Sequence, residues 1–157
     1  PDEHQALAGV LKGRKGVETL CADGYRMAVE RLPVRGPALV LIDPPFERGD
    51  DYARIVDTVE AVRRRNREAV VMVWLPLKDL ETFDAFLRDL EDARPGPLLV
   101  AETRMRPLTD PMKMNGCALV FANAPAALDR LVHQLCAWTA QTLGEDGVGR
   151  AWRPADD

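Results

Sequence analysis

At 157 residues, with 46% hydrophobic and 29% charged side chains, the chain has the size and composition of a single globular domain with a buried core. Its formal net charge of −4 excludes binding nucleic acid by overall attraction, so any such partner must be held by local basic patches. No apolar run is long enough to cross a bilayer and no signal-peptide pattern opens the chain, so no membrane role is expected.

The elements are taken in chain order. "EHQALAGVLKG" (3–13) has apolar residues at helical spacing and a glycine stop, which predicts a short helix. "GVETLCADG" (16–24) reads as a strand running into an acidic glycine turn, followed by a helix around "YRMAVERL" (25–32). "GPALVLIDPP" (36–45) is the best strand signal, an apolar run expected to be buried on both faces. In "DDYARIVDTVEAVRRRN", Tyr52, Ile55, Val56, Val59 and Val62 recur at helical spacing and predict an amphipathic helix. "AVVMVWLPLKD" (69–79) is a second buried strand stopped by Pro76, with Trp74 expected in the core. A helix over 80–93 presents Leu80, Phe83, Phe86, Leu87 and Leu90 on one face. Strands are predicted at "PLLVAETRMRP" (97–107) and, after an Asn-Gly turn, at "NGCALVFANAP" (115–125). The last helix is "AALDRLVHQLCAWTAQTLG" (126–144), with Trp138 on its packing stripe; the tail beyond it, Trp152 included, has little pattern.

Strands alternating with helices predict an α/β, Rossmann-like doubly wound domain with a mostly parallel sheet. The last two strands have no helix between them and are expected to be antiparallel neighbours. Cys21, Cys117 and Cys136 are widely spaced in apolar settings, which suits buried, reduced thiols in a cytoplasmic protein. With no C-x-x-C and no histidine cluster, no metal is expected. His4 and His133 have no partners at ligand or catalytic spacing.

Ligands in such sheets bind at the carboxyl ends of the strands, where "ADG" and "DPPF" both fall. Two consecutive prolines remove two backbone donors and fix φ, so "DPPF" is a stiff loop at a strand's end. It suits a flat, amino-bearing heterocycle. Asp43 and the Pro44 carbonyl can accept from an exocyclic –NH₂, Pro45 adds no competing donor, and Phe46 can stack on the ring. Acceptors aimed at those hydrogens favour the pyramidal amine and free its lone pair, and Asp43 can take the proton. Taken alone, the loop is equally a rigid turn capping a strand.

The strand followed by "DPPF" resembles the [DNS]-P-P-[FYW] motif of S-adenosyl-L-methionine-dependent methyltransferases that modify exocyclic amines. The resemblance extends to "ADGY" (22–25), "LVLIDPPFE" (39–47), "DYARIVD", "VMVWLPLKD" (71–79) and "MNGCALVFANAP" (114–125). These follow in the order seen in the bacterial 23S rRNA adenine-N6 methyltransferases of the RlmJ type. Within it, "W-x-P-x-K-D" discriminates best, because the four-residue loop is shared by several families. The resemblance implies S-adenosyl-L-methionine as cofactor and an rRNA adenine as substrate, flipped out of or already free from the stack. It makes Asp43 the catalytic acid/base and a cofactor neighbour. Pro44, Pro45 and Phe46 become the base-holding loop, and Asp23 and Gly24 contacts to the cofactor.

The family pattern begins earlier than Pro1. A first strand with a glycine-bearing cofactor loop and a second, acid-ended strand are not matched, and in the family's sheet they lie between "VETLC" and "ALVLI". The expectation is therefore the C-terminal part of a longer methyltransferase domain, with unpaired strand edges and poor cofactor binding alone.

Arg104, Arg106 and Lys113 flank a long loop near the site end and suit either RNA phosphates or edge-strand protection. "RRRNR" (63–67) better fits a solvated helix end, and Lys12, Arg14 and Lys15 a solvated turn. Two other functions fit the loop. One is methylation of another exocyclic amine, namely guanine N2 in rRNA, adenine in DNA or a protein glutamine. The other is a non-catalytic Rossmann-like module.

Overall fold

A computed structural model describes residues 2–107 and 115–154. Among the described residues five α-helices and five strands follow in the order α1 (Asp2–Leu11), α2 (Gly24–Glu30), β1 (Leu39–Ile42), α3 (Asp51–Arg65), β2 (Val70–Pro76), α4 (Leu80–Asp92), β3 (Leu98–Arg104), β4 (Gly116–Ala122), α5 (Asp129–Leu143) and β5 (Val148–Trp152). The strands form one sheet in the order β1-β2-β4-β3-β5. β1 and β2 are parallel, whereas β4 is inserted antiparallel between β2 and β3. β1, β2 and β3 therefore all end at the same edge of the sheet, where β4 begins. This is a mixed α/β sheet, and the expected antiparallel pairing of the two late strands is observed.

One face of the sheet holds the main core. Val71, Val73 and Leu75 alternate with less buried neighbours along β2, the period of two that a strand imposes. They meet Ile55, Val59 and Val62 of α3 and Phe83, Phe86, Leu87 and Leu90 of α4, all buried, as the helical spacing demands. Asp79 caps α4 by accepting from the Thr82 amide at 2.7 Å, which fixes where the chain turns after β2. On the opposite face α5 covers β3 and β5, with Cys136 packed against Leu99, Ala101 and Phe121.

Several expectations are corrected. The 16–24 segment forms no strand: no neighbouring strand lies beside it among the described residues, and an unpaired strand has nothing to satisfy its backbone groups. β1 is an edge strand. Its Val40 and Ile42 face the main core, but Leu39 and Leu41 are 65% and 57% exposed on the α5 side of the sheet, at an edge that α5 does not extend to. Trp138 is 60% exposed, because the packed stripe of α5 runs through Cys136 and Ala140 instead. Cys21 is exposed and Cys117 half-buried; only Cys136 is buried. Trp74 is half-buried rather than core.

The tail without pattern contains β5. It pairs antiparallel with β3, and its Gly149 lies so close to α5 that any Cβ there would collide with the Cys136 carbonyl. Trp152 is half-buried against the main core and donates from Nε1 to Glu102 at 3.3 Å. The "RRRNR" arginines serve the fold. Arg63 donates to the carbonyls of Pro95 at 2.7 Å and Ala69 at 2.9 Å, and Arg65 to that of Leu32 at 2.9 Å. His133 accepts from the Ala151 amide at 3.2 Å, tying α5 to β5. No described helix is long and apolar enough to cross a membrane.

Candidate active site

Asp43 follows Ile42 at the carboxyl end of β1, where the two prolines stop the strand. Its side chain is exposed, and no described residue hydrogen-bonds or ion-pairs with it. Pro44 is half-buried beneath it and Pro45 is exposed. Phe46 closes the loop with φ +52°, in the left-handed region that costs a bulky residue free energy. Two aromatic contacts hold it there. Its ring centroid is 5.3 Å from Tyr52 of α3 and 6.1 Å from Trp74 of β2, both tilted, and Tyr52 in turn lies 5.8 Å from Phe86 of the core. The "W-x-P-x-K-D" tryptophan thus supports the "DPPF" loop from the neighbouring strand.

Asp23 is the N-cap of α2, and its Oδ1 accepts from the Arg26 amide at 3.2 Å. Its Oδ2 accepts from Arg54 Nη2 of α3 at 2.6 Å. The Arg26 amide, then Arg54, hold the Asp23 carboxyl below its usual range. Gly24 is exposed, with no heavy atom within 4 Å of where a Cβ would stand, so a flat ring has room beside the turn.

Three residues not anticipated from the sequence join these two loops. Asp51 opens α3 directly after the "DPPF" loop and is only 2% exposed. Its Oδ1 accepts from the Tyr25 hydroxyl at 3.2 Å and its Oδ2 from the Arg48 amide at 3.0 Å. The Arg54 guanidinium lies 4.3 Å from the centre of the Tyr25 ring, a cation–π contact, while also pairing with Asp23. Burial, followed by the charge and hydrogen bond of Asp51, pushes the Tyr25 phenol up to about 12, so it remains a donor. The tyrosine of "ADGY" was the only legible signal; a helix-start aspartate and a mid-helix arginine carry no local pattern.

The basic residues separate. Arg104 lies at the end of β3 with its guanidinium on Glu102, Arg106 is exposed beyond it, and Lys113 lies outside the described residues.

Taken together, the sheet order and a D-P-P-F loop at a parallel strand's carboxyl end define a Rossmann-like methyltransferase fold. A crystal structure of a Legionella pneumophila protein shares that fold at a TM-score of 0.73, with 21% identity, over 85% of this chain and 50% of the other. The chain belongs to the family described as ribosomal RNA large subunit methyltransferase D, RlmJ, which it matches over residues 1–154. It is similar to the ribosomal RNA large subunit methyltransferase J of Haemophilus influenzae, at 27% identity over 95% of this chain and 53% of the relative. The Escherichia coli protein of the same name matches at 27% identity over 96% of this chain and 54% of the relative. The chain thus spans about half the length of the curated relatives it matches.

Proposed function

We propose that this chain carries the acid/base loop of a methyltransferase that uses S-adenosyl-L-methionine to methylate the exocyclic N6 of an adenine in 23S rRNA, naked or partly assembled. The observation that carries the reading is Asp43: an exposed, unclaimed carboxylate on a Pro-Pro loop at a strand's carboxyl end, in a chain of this family. The Asp43 carboxylate and the Pro44 carbonyl accept from the amine, whose lone pair turns toward the methyl donor, and Asp43 takes the proton released. The exposed part of Phe46 forms one wall for the base.

When bound, the cofactor supplies an electrophilic methyl group. Asp23 and Gly24 suit its adenine end, since each Asp23 oxygen retains a lone pair for an amino group and the glycine leaves room for a ring. Arg106 suits an RNA phosphate, whereas Arg104 already has an anion. The half of the family's length that this chain does not match is proposed to lie along the free edge of β1, covering Leu39 and Leu41. This function places the protein in the cytoplasm with its rRNA.

Nucleoside mass spectrometry after incubating a full-length protein that contains this chain with unmodified 23S rRNA and the cofactor tests the proposal, because this chain alone is expected to bind cofactor poorly. N6-methyladenosine, lost in Asp43→Ala, is the expected product. N2-methylguanosine would assign the site to another amine. No product, together with an Asp43→Ala variant indistinguishable in the cell, would leave a non-catalytic module.

A further inference from the structure

We infer that Tyr25 and Asp51 are positioning residues that lock the "ADGY" turn and the "DPPF" loop into one rigid unit, fixing the register between methyl donor and acceptor amine. The inference rests on the proposed function and adds to it a pair of residues that touch neither substrate nor cofactor.

The carboxylate of Asp51 is shut away from water, and its two oxygens face in different directions. One receives the Tyr25 hydroxyl, one residue from Gly24; the other receives the Arg48 amide, two residues beyond Phe46. A buried carboxylate that loses a donor is costly, so this link resists opening more than a surface contact would. Arg54 braces the same link from above, its guanidinium on the Tyr25 ring and its Nη2 on Asp23. The chain from Asp23 through Arg54 and Tyr25 to Asp51 and Arg48 therefore spans both candidate loops without using Asp43.

Such a link has a purpose at this place. The left-handed Phe46 persists only if its surroundings over-determine it; Tyr52 and Trp74 hold its ring, but the backbone after it is pinned by Asp51 alone among the described side chains. In-line transfer tolerates little misplacement between the two loops, and a shift of about 1 Å can cost on the order of a hundredfold in rate.

The test compares Tyr25→Phe, Asp51→Asn and Asp51→Ala with the wild-type sequence, all in the full-length protein that contains this chain. Asparagine can accept from the Arg48 amide with its oxygen and donate to the Tyr25 oxygen with its nitrogen, so it preserves the link that alanine breaks. Tyr25→Phe and Asp51→Ala are expected to lower kcat at saturating rRNA and cofactor by roughly tenfold or more, with KM for rRNA little changed and Asp51→Asn restoring most of the rate. The Arg48 amide should also exchange its hydrogen faster in Tyr25→Phe. The inference is overturned if kcat is unchanged, if the loss disappears on cooling in step with a lowered unfolding temperature, or if Arg48 exchange does not change. A wild-type protein that transfers no methyl to rRNA would instead overturn the proposed function and this inference with it.

Discussion

Arg104 lays its guanidinium on the buried carboxylate of Glu102, Nη2 to Oε2 at 2.8 Å and Nε at 3.0 Å, while Arg106 two residues later stays exposed. Two basic residues at and just beyond the end of β3 therefore stand in different surroundings. Arg106→Ala should weaken rRNA binding and lower the slope of log affinity against log salt by about one phosphate's share, roughly 0.7 to 0.9. Arg104→Ala should act mainly on the unfolding temperature. Filter binding at several salt concentrations separates the two; an unaltered slope in Arg106→Ala removes that residue from the RNA surface.

Glu102 is 2% exposed in β3 and receives Arg150 Nη2 at 2.9 Å and Trp152 Nε1 at 3.3 Å as well as Arg104. Burial pushes its carboxyl up, but the hydrogen bond from Arg150, the charges of Arg104 and Arg150 and the indole outweigh it, so it titrates below its ordinary 4.5. A depressed carboxyl stabilises the fold fully above that ordinary value and loses its contribution as pH falls through the folded pKa. Glu102→Gln should cost about 2 kcal/mol near neutral pH, less than a fully buried pair because both arginines reach solvent, and should flatten the acid limb of stability. Denaturant titrations of both proteins from neutral to acid pH measure this; parallel curves would refute the assignment.

At position 46 the usual ranking of alanine over glycine should invert. Both replacements lose the packing on Tyr52 and Trp74, but only alanine keeps a Cβ at φ +52°. Phe46→Ala is expected to cost about 2 kcal/mol and Phe46→Gly about 1 kcal/mol less, read from urea midpoints. Equal midpoints would mean that the loop relaxes once the ring is gone.

Gly149→Ala drives a methyl group into the Cys136 carbonyl and must separate β5 from α5. A loss of about 3 kcal/mol is expected, the upper end for overpacking, because backbone rather than a side chain has to move. Faster hydrogen exchange in β5 than in β2 would locate the damage, and unchanged stability would show that the contact is not close in solution.

Most of this architecture was legible in the chain. The helices at 51–65 and 80–92 announce themselves by apolar spacing, and the strand at 70–76 by an apolar run ended by proline. The place of Asp43 at the end of β1 was legible too, because two prolines after a strand leave few other conformations. "VETLC" misled for a physical reason. Strand propensity is realised only when a neighbour takes up the backbone groups, and none lies beside it here. β5 escaped notice for the opposite reason: "VGRAW" has weak local pattern, and its ladder to β3 and the anchoring of Arg150 and Trp152 on Glu102 make it a strand.

What the sequence determined by itself was local: the periodicities that set helix and strand, and the stiff loop that ends β1. Only the tertiary structure decided that Leu39 and Leu41 lie open, that Trp74 props Phe46, and that Asp51 joins two loops by accepting from Tyr25, 26 residues before it. Burial and long-range hydrogen bonds depend on which surfaces meet, and no window of neighbouring residues contains that information.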